Sequence, residues 1–499
     1  MRKNLLVALL LATSVAAATD HQDQQKAAWL KQATHYHGQI PKHFRVAWNI
    51  DNIMPTEGHS PGAVGETKIR RIRWADLNGQ RYSQREDEIG LGYHWERGLV
   101  DDGEQAFALD HLAETARPVA SDSRNQIHNL AQFLPPLLVH LLRHHLDDWQ
   151  FNNQGEIEYQ AGPNQNWQIE TDSKTGRIQA VRSGYDDYQG QRIPTRITFE
   201  DDQHFHAGIC VPRRSTLYEG ETIVQRQQLV GISRSNFSAA SFQPIPGYQH
   251  IPARPDDAFE FRAKSLGPGM HWIGSGVFYQ LFVELEDGIV AMDATGGDVQ
   301  ARLDAIRQRV PDKPLKWVLV SHHHGDHLHG LVEYVKAGAF IIASPAHQPA
   351  IEETLQARDI VPHYIPTVWV EDETDMASVE FSFDRGAIKF DQGEGRRIIF
   401  KSIETRHSEQ LVIAILPDDQ IAYSADLWVN HHRAPEIATP NAMTLYRVLK
   451  ESGHTINQIV DAHSAIVLQF EDLEAAVNNA INNGYLEKRE FTSLVEIPD

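Results

Sequence analysis

The chain has 499 residues, 41% hydrophobic and 23% charged, a globular composition long enough for two or three domains. Its formal net charge of −21 excludes polynucleotides and anionic membrane surfaces as general partners, because both are bound through basic patches. A single cysteine, Cys210, excludes an internal disulfide and every thiolate-cluster metal site, so any metal must sit on carboxylates and the 27 histidines.

The first predicted element is a targeting segment over residues 1–18. Arg2 and Lys3 form a basic start, Leu5 to Ala12 are apolar, and Ala16, Ala17 and Ala18 supply the small residues of a cleavage site. The apolar run is shorter than the ~20 residues that a membrane span needs, and no cysteine follows it to carry a lipid. The expectation is a signal peptide, no stable membrane insertion, and a periplasmic or secreted chain that starts near residue 19.

Residues 19–232 read as a mainly antiparallel, β-rich accessory domain. Trp29 and Leu30 sit in a short helical stretch, and a stronger helix starts at Pro135–Pro136 with Leu137, Leu138, Leu141 and Leu142 on one face. Asn78–Gly79 separates two alternating runs, a hairpin pattern. Strand signals follow at Ile157–Tyr159, Trp167–Glu170, Ile178–Val181 and Ile193–Phe199. The stretch from Ser183 to Pro194 resembles strand pairs of the lipoprotein-carrier-like half-barrels of bacterial envelopes. That likeness leaves two roles open, a supporting sheet or a groove for an apolar ligand. Nothing in this half has catalytic spacing.

Residues 233–257, with Pro244, Pro246, Pro252 and Pro255, have linker composition. From 258 to 499 strands and helices interleave. Strands are expected at Val277–Leu285, Gly288–Asp293, Leu315–Val320, Phe340–Ala343, Ile398–Ile403, Leu411–Leu416 and Ile421–Ser424. Helices are expected at Val299–Arg309, from Leu331, at Asn441–Ser452 and at Leu473–Asn482. This alternation predicts an α/β layered domain.

The chemistry gathers at one strand end. Leu315–Val320 runs into Ser321-His322-His323-His324-Gly325-Asp326-His327, where the C-terminal loop of a buried strand faces a ligand crevice. His322, His324, Asp326 and His327 form H-x-H-x-D-H, an imidazole and carboxylate set that suits zinc, and also manganese or iron.

With that motif, the C-terminal half resembles the metallo-β-lactamase superfamily, which implies an αββα sandwich. Asp293 matches that family's first motif, an aspartate that orients the ligand loop. His407 in Thr405-Arg406-His407-Ser408 matches the third, Asp426 in Ser424-Ala425-Asp426 the fourth, and His463 in Asp461-Ala462-His463 the fifth. The resemblance implies two zinc ions per chain: one on His322, His324 and His407, the other on Asp326, His327 and His463, with Asp426 bridging. It further implies a bridging hydroxide as nucleophile and Asp326 as a proton donor to the leaving group. Two departures, Arg406 and Ser464 where the family often has glycine, bear on pocket shape. His347 is the rival for the third ligand, His323 and His329 are expected to pack or point outward, and His431 and His432 are expected in solvated loops.

The implied function is an exported hydrolase of an ester, lactone, thioester or amide bond in a small-molecule substrate. Asp426 in place of a thiol ligand disfavours an efficient lactamase, and retention of His324 disfavours the flavodiiron branch. Two alternatives remain: a mononuclear iron oxidoreductase of the persulfide dioxygenase type, and a ligand-binding protein with a vestigial metal site.

Overall fold

In the N-terminal unit, strands of alternating polarity bury one side chain in two. Along Ile157–Gly162 and Gln165–Thr171, Ile157, Tyr159, Trp167 and Ile169 are buried while Gln160 and Gln168 stay exposed. A computed structural model describes residues 22–162, 165–186, 192–205, 208–235, 238–254, 260–375, 380–383, 386–389, 396–429 and 434–482. The expected signal peptide, His431 and His432 lie outside these residues. Contacts divide the chain into two units, one of Met1–Ile53, Lys68–Glu88 and Trp95–Ala253, the other of Met54–Thr67, Ile89–His94 and Arg254–Asp499.

The first unit is built on a 14-stranded sheet whose two meanders join where His43–Met54 pairs antiparallel with Thr222–Arg234. The helix expected at Pro135 is present as Pro135–His144, with proline in its first turn, where no amide donor is missed. Its Leu137, Leu138, Leu141 and Leu142 enter a core with Trp149, Trp167 and Ile169. At the Asn78–Gly79 turn, Asp76 Oδ1 accepts from both backbone amides at 3.0 Å, a side-chain mimic of a turn hydrogen bond.

The division differs from the sequence reading in two places. Much of the expected linker, 233–257, is built into the first unit: Gln249–His250 pairs in parallel with Thr115–Val119 as an edge strand, and Phe242 is buried. Conversely, Met54–Thr67 and Ile89–His94, expected in the accessory domain, belong to the second unit.

The second unit is α/β. One sheet has the strand order Arg262–Gly267, Met270–Ser275, Phe278–Glu284, Ile289–Met292, Leu315–Val320, Phe340–Ala343, Thr367–Trp369, and becomes parallel from Ile289–Met292 onward. The other runs Glu373–Asp375, Ile399–Ile403, Leu411–Leu416, Ile421–Tyr423, Gln458–Val460, Leu468–Gln469. All of Ile289–Met292 and Leu411–Leu416 are buried, as expected for strands covered on both faces. Val299, Leu303, Ile306, Leu331, Ile351 and Leu355 pack helices onto Ile289, Ala291, Val318 and Val320. The helix Val299–Arg309 is capped by Asp298, which accepts from Ala301 N, and Pro440–Glu451 by Thr439, which accepts from Ala442 N. No helix among the described residues is long and apolar enough to cross a membrane.

Candidate metal centre

Each side chain of the centre is delivered by the end of a strand. Leu315–Val320 hands its chain to His322, His323 and His324, and the short helix Gly325–Leu328 then presents Asp326 and His327. Asp293 follows Ile289–Met292 with φ of 83°, and Ala425, just before Asp426, has φ of 51°. Such left-handed positions cost of order 1–3 kcal/mol in a non-glycine residue, so the surrounding bonds must hold them. Asp293 shows how: Oδ2 accepts from Ser321 Oγ at 2.6 Å and Tyr423 OH at 3.0 Å, while Oδ1 accepts from Ala294 N at 3.0 Å.

The seven expected ligand residues come together in two groups, His322 with His324 and His407, and Asp326 with His327, Asp426 and His463. Within each group the candidate donor atoms lie within 4.8 Å of one another. His322 Nε2 and His407 Nε2 are 3.0 Å apart, and His327 Nε2 and His463 Nε2 are 3.3 Å apart. Asp426 faces both groups. Its Oδ2 is 3.3 Å from His407 Nε2 and 3.8 Å from His322 Nε2, whereas its Oδ1 is 3.0 Å from His327 Nε2 and 3.3 Å from His463 Nε2. Asp326 Oδ2 lies 3.2 Å from His463 Nε2.

The outward nitrogens set the tautomers. His322 Nδ1 sits 3.0 Å from Ser321 Oγ, His327 Nδ1 2.8 Å from Asp293 Oδ2, and His463 Nδ1 2.9 Å from Val277 O. Each of these contacts takes the ring's N–H, which leaves Nε2 as a lone pair pointing inward. His324 is reversed: its Nε2 donates to Gly58 O at 3.0 Å, so Nδ1 is the free nitrogen. With His327 donating to Asp293, Asp426 Oδ1 is a buried carboxylate oxygen without a hydrogen-bond donor. Opposed lone pairs and an unpaired buried anion are costly unless a cation joins them. The donor set therefore fits divalent metal, with His322, His324 and His407 at one position, Asp326, His327 and His463 at the other, and Asp426 between.

The electrostatics divide the same way. Burial and neighbouring imidazoles hold His322 and His324 well below the usual histidine range. Burial also works against charge on His327 and His463, but without a cation at the centre Asp426 and Asp326 outweigh it and hold both well above that range, so their Nε2 atoms would carry protons there that a bound divalent ion would displace. Burial and the Asp426 charge push Asp461 up to about 7.

His347 is apart from both groups. Its Nε2 lies 3.1 Å from Gln410 O and its ring stacks on His323 at 5.3 Å, so both histidines pack. His347→Ala is expected to leave metal stoichiometry unchanged, checked by elemental analysis; loss of an ion would move the third-ligand role from His407.

Several residues of the site had no signal in the sequence. Tyr93 OH donates to Asp426 O at 2.7 Å and its ring meets His407 edge-on at 5.4 Å. Glu57, half-buried, is pushed up to about 7 by burial and by the charges of Asp326 and Asp426. Gly58 supplies the carbonyl to His324. All three lie far upstream of the motif, in the two segments that join the second unit.

Residues 291–399 match the family model described as the metallo-beta-lactamase superfamily. That stretch includes Asp293 and the H-x-H-x-D-H motif and ends before His407, Asp426 and His463. Among solved structures, a metallo-beta-lactamase from Pontibacter korlensis is 13% identical over 45% of this chain and 100% of its own, with a TM-score of 0.32. The flavodiiron protein of Giardia intestinalis is 15% identical over 46% of this chain and 60% of its own, TM-score 0.33. A stereoselective inverting sec-alkylsulfatase from a Pseudomonas species is 16% identical over 47% and 46%, TM-score 0.31. No curated protein matches the chain in sequence. The stretch 291–399, which carries Asp293 and the H-x-H-x-D-H motif, thus matches the metallo-beta-lactamase superfamily, a metal-dependent family.

Proposed function

We propose that the chain is an exported, dinuclear zinc hydrolase acting on an ester, lactone, thioester or amide bond of a small substrate. The observation that carries this reading is the carboxylate of Asp426, which offers one oxygen to each histidine group. A single-metal oxidoreductase would leave the second set, Asp326, His327 and His463 with Asp426 Oδ1, without an ion. Two bound divalent ions supply Lewis acidity and lower the pKa of water to about 7.

The chain's own residues divide the remaining work. His322 and His327 side chains are fully buried, whereas that of Asp326 is 29% exposed, against 8% for Asp426. Asp326 is therefore placed to reach a departing oxygen or nitrogen and take part in the transfer of its proton, with His463 3.2 Å away to steady the carboxylate. Asp293, locked by Ser321 and Tyr423, keeps His327 in the tautomer that leaves Nε2 free. The net charge of −21 disfavours polynucleotides and supports a small substrate.

The test is elemental analysis of protein purified without chelator, followed by an ester, lactone, thioester and lactam panel. Close to two zinc per chain with hydrolysis of one class is the expected result. One iron per chain would overturn it in favour of oxidoreductase chemistry. For export, amino-terminal sequencing of the protein from the periplasm or medium is expected to begin near residue 19.

A further inference from the structure

Two stretches of the N-terminal half of the sequence, Met54–Thr67 and Ile89–His94, belong to the same unit as the metal centre, and both close on its ligands. In the first, Gly58 O accepts from His324 Nε2 at 3.0 Å. The next residue ties this loop to the segment that carries His407: His59 O accepts from Glu409 N at 2.8 Å, and His59 Nε2 lies 2.9 Å from Thr405 O. In the second, Tyr93 OH donates to Asp426 O at 2.7 Å. Asn441 Nδ2 anchors this stretch by donating to Leu91 O at 2.9 Å. Gly92, with φ of 78°, leaves room for Asn441, since a Cβ there would come within 2.0 Å of Asn441 Oδ1.

A neutral imidazole has one N–H. Because a carbonyl can only accept, the Gly58 contact puts that hydrogen on Nε2 of His324 and the lone pair on Nδ1. The ring so fixed lies 4.4 Å from the rings of both His322 and His407, centroid to centroid. Tyr93 acts on the other shared element, since its hydroxyl holds the backbone of the residue that faces both groups. Outer partners of this kind typically govern metal affinity by 10–100-fold.

We propose that Gly58 and Tyr93 are positioning residues of the metal centre, so that its affinity is set in part by chain far upstream of the family-matching region. This inference rests on the two-metal reading above. The experiment uses the full chain, stripped of metal and titrated with Zn²⁺ and Co²⁺ against a chromophoric chelator, with the visible spectrum of the cobalt form recorded. Gly58→Ala places a Cβ 2.2 Å from Ala63 O, so the loop backbone must shift and the Gly58 carbonyl with it. Tyr93→Phe removes only the hydroxyl. Val64→Ser, in the same loop at a position 54% exposed, serves as control.

Gly58→Ala is expected to weaken one of the two sites by about 10–100-fold and to change the cobalt spectrum, while the other site is kept. Tyr93→Phe is expected to weaken binding by about 10-fold with the thermal midpoint of the metal-free protein unchanged, and Val64→Ser to match the wild type. If Gly58→Ala fails to fold, Tyr93→Phe alone decides. Two sites of wild-type affinity in both variants would overturn the inference and leave the two-metal reading standing. A wild-type chain that takes up no metal would remove both.

Discussion

Asp426→Ala is expected to bind about one metal ion per chain where the wild type binds two, and to lower kcat/KM by more than about 100-fold, beyond what loss of an outer partner costs. The reason is the division of its carboxylate. Oδ1 lies 3.0 Å from His327 Nε2 and Oδ2 3.3 Å from His407 Nε2, so truncation removes one donor from each position at once. His322, His324 and His407 keep three nitrogen donors, the open arrangement in which zinc is held with water in the fourth position, whereas the other position is left with only two nitrogens, from His327 and His463, beside the more exposed Asp326 carboxylate. Elemental analysis and a chelator titration of the variant check this. Two tightly bound ions in the variant would remove the bridging role of Asp426.

Asp293→Asn is expected to have the second largest effect, on stability and on metal affinity together. The carboxylate accepts from Ser321 Oγ, Tyr423 OH and Ala294 N and faces His327 Nδ1, all in the buried interior. An amide there offers two hydrogens where only acceptors are wanted, so one N–H must confront Ser321, Tyr423 or His327. Breaking one side of a buried charged network costs about 3–5 kcal/mol, or a fall in thermal midpoint of roughly 10 °C for a unit of this size. Because His327 also loses its tautomer lock, metal affinity is expected to fall by about 10–100-fold. Calorimetry of the metal-free and zinc-loaded forms separates the two effects. An unchanged midpoint in the metal-free variant would show that Asp293 is held by something other than its carboxylate.

What could be read in the sequence was local. H-x-H-x-D-H sits within six residues after an apolar strand, so the spacing alone announces a ligand loop. The helix at Pro135 announces itself through a proline that needs no partner and leucines on one face. His407, Asp426 and His463 have no such signature; only the order of motifs in a family points to them, and the fold brings them to His322 and His327. Gly58 was beyond reach for a physical reason. It contributes a carbonyl, which every residue possesses, so its type carries no information about the role. The proline-rich stretch 233–257 misled for a related reason. Its composition describes a chain that avoids helix, but whether Gln249 N finds an acceptor depends on Glu114 O, 2.8 Å away in a turn far back in the sequence.

The strand ends that supply the centre are scattered along the chain from Asp293 to His463, and none of the two groups is complete until those ends have converged. A short peptide carrying H-x-H-x-D-H alone has only part of one group and part of the other. High-affinity capture is therefore a property of the folded unit and absent from the unfolded chain, so bound ions act as a latch on the native state. Each ion raises the free energy of unfolding in proportion to the logarithm of free metal over its dissociation constant. A metal-indicator dye would thus report unfolding of this unit as release, and the resistance of the chain to heat would track the supply of its divalent metal.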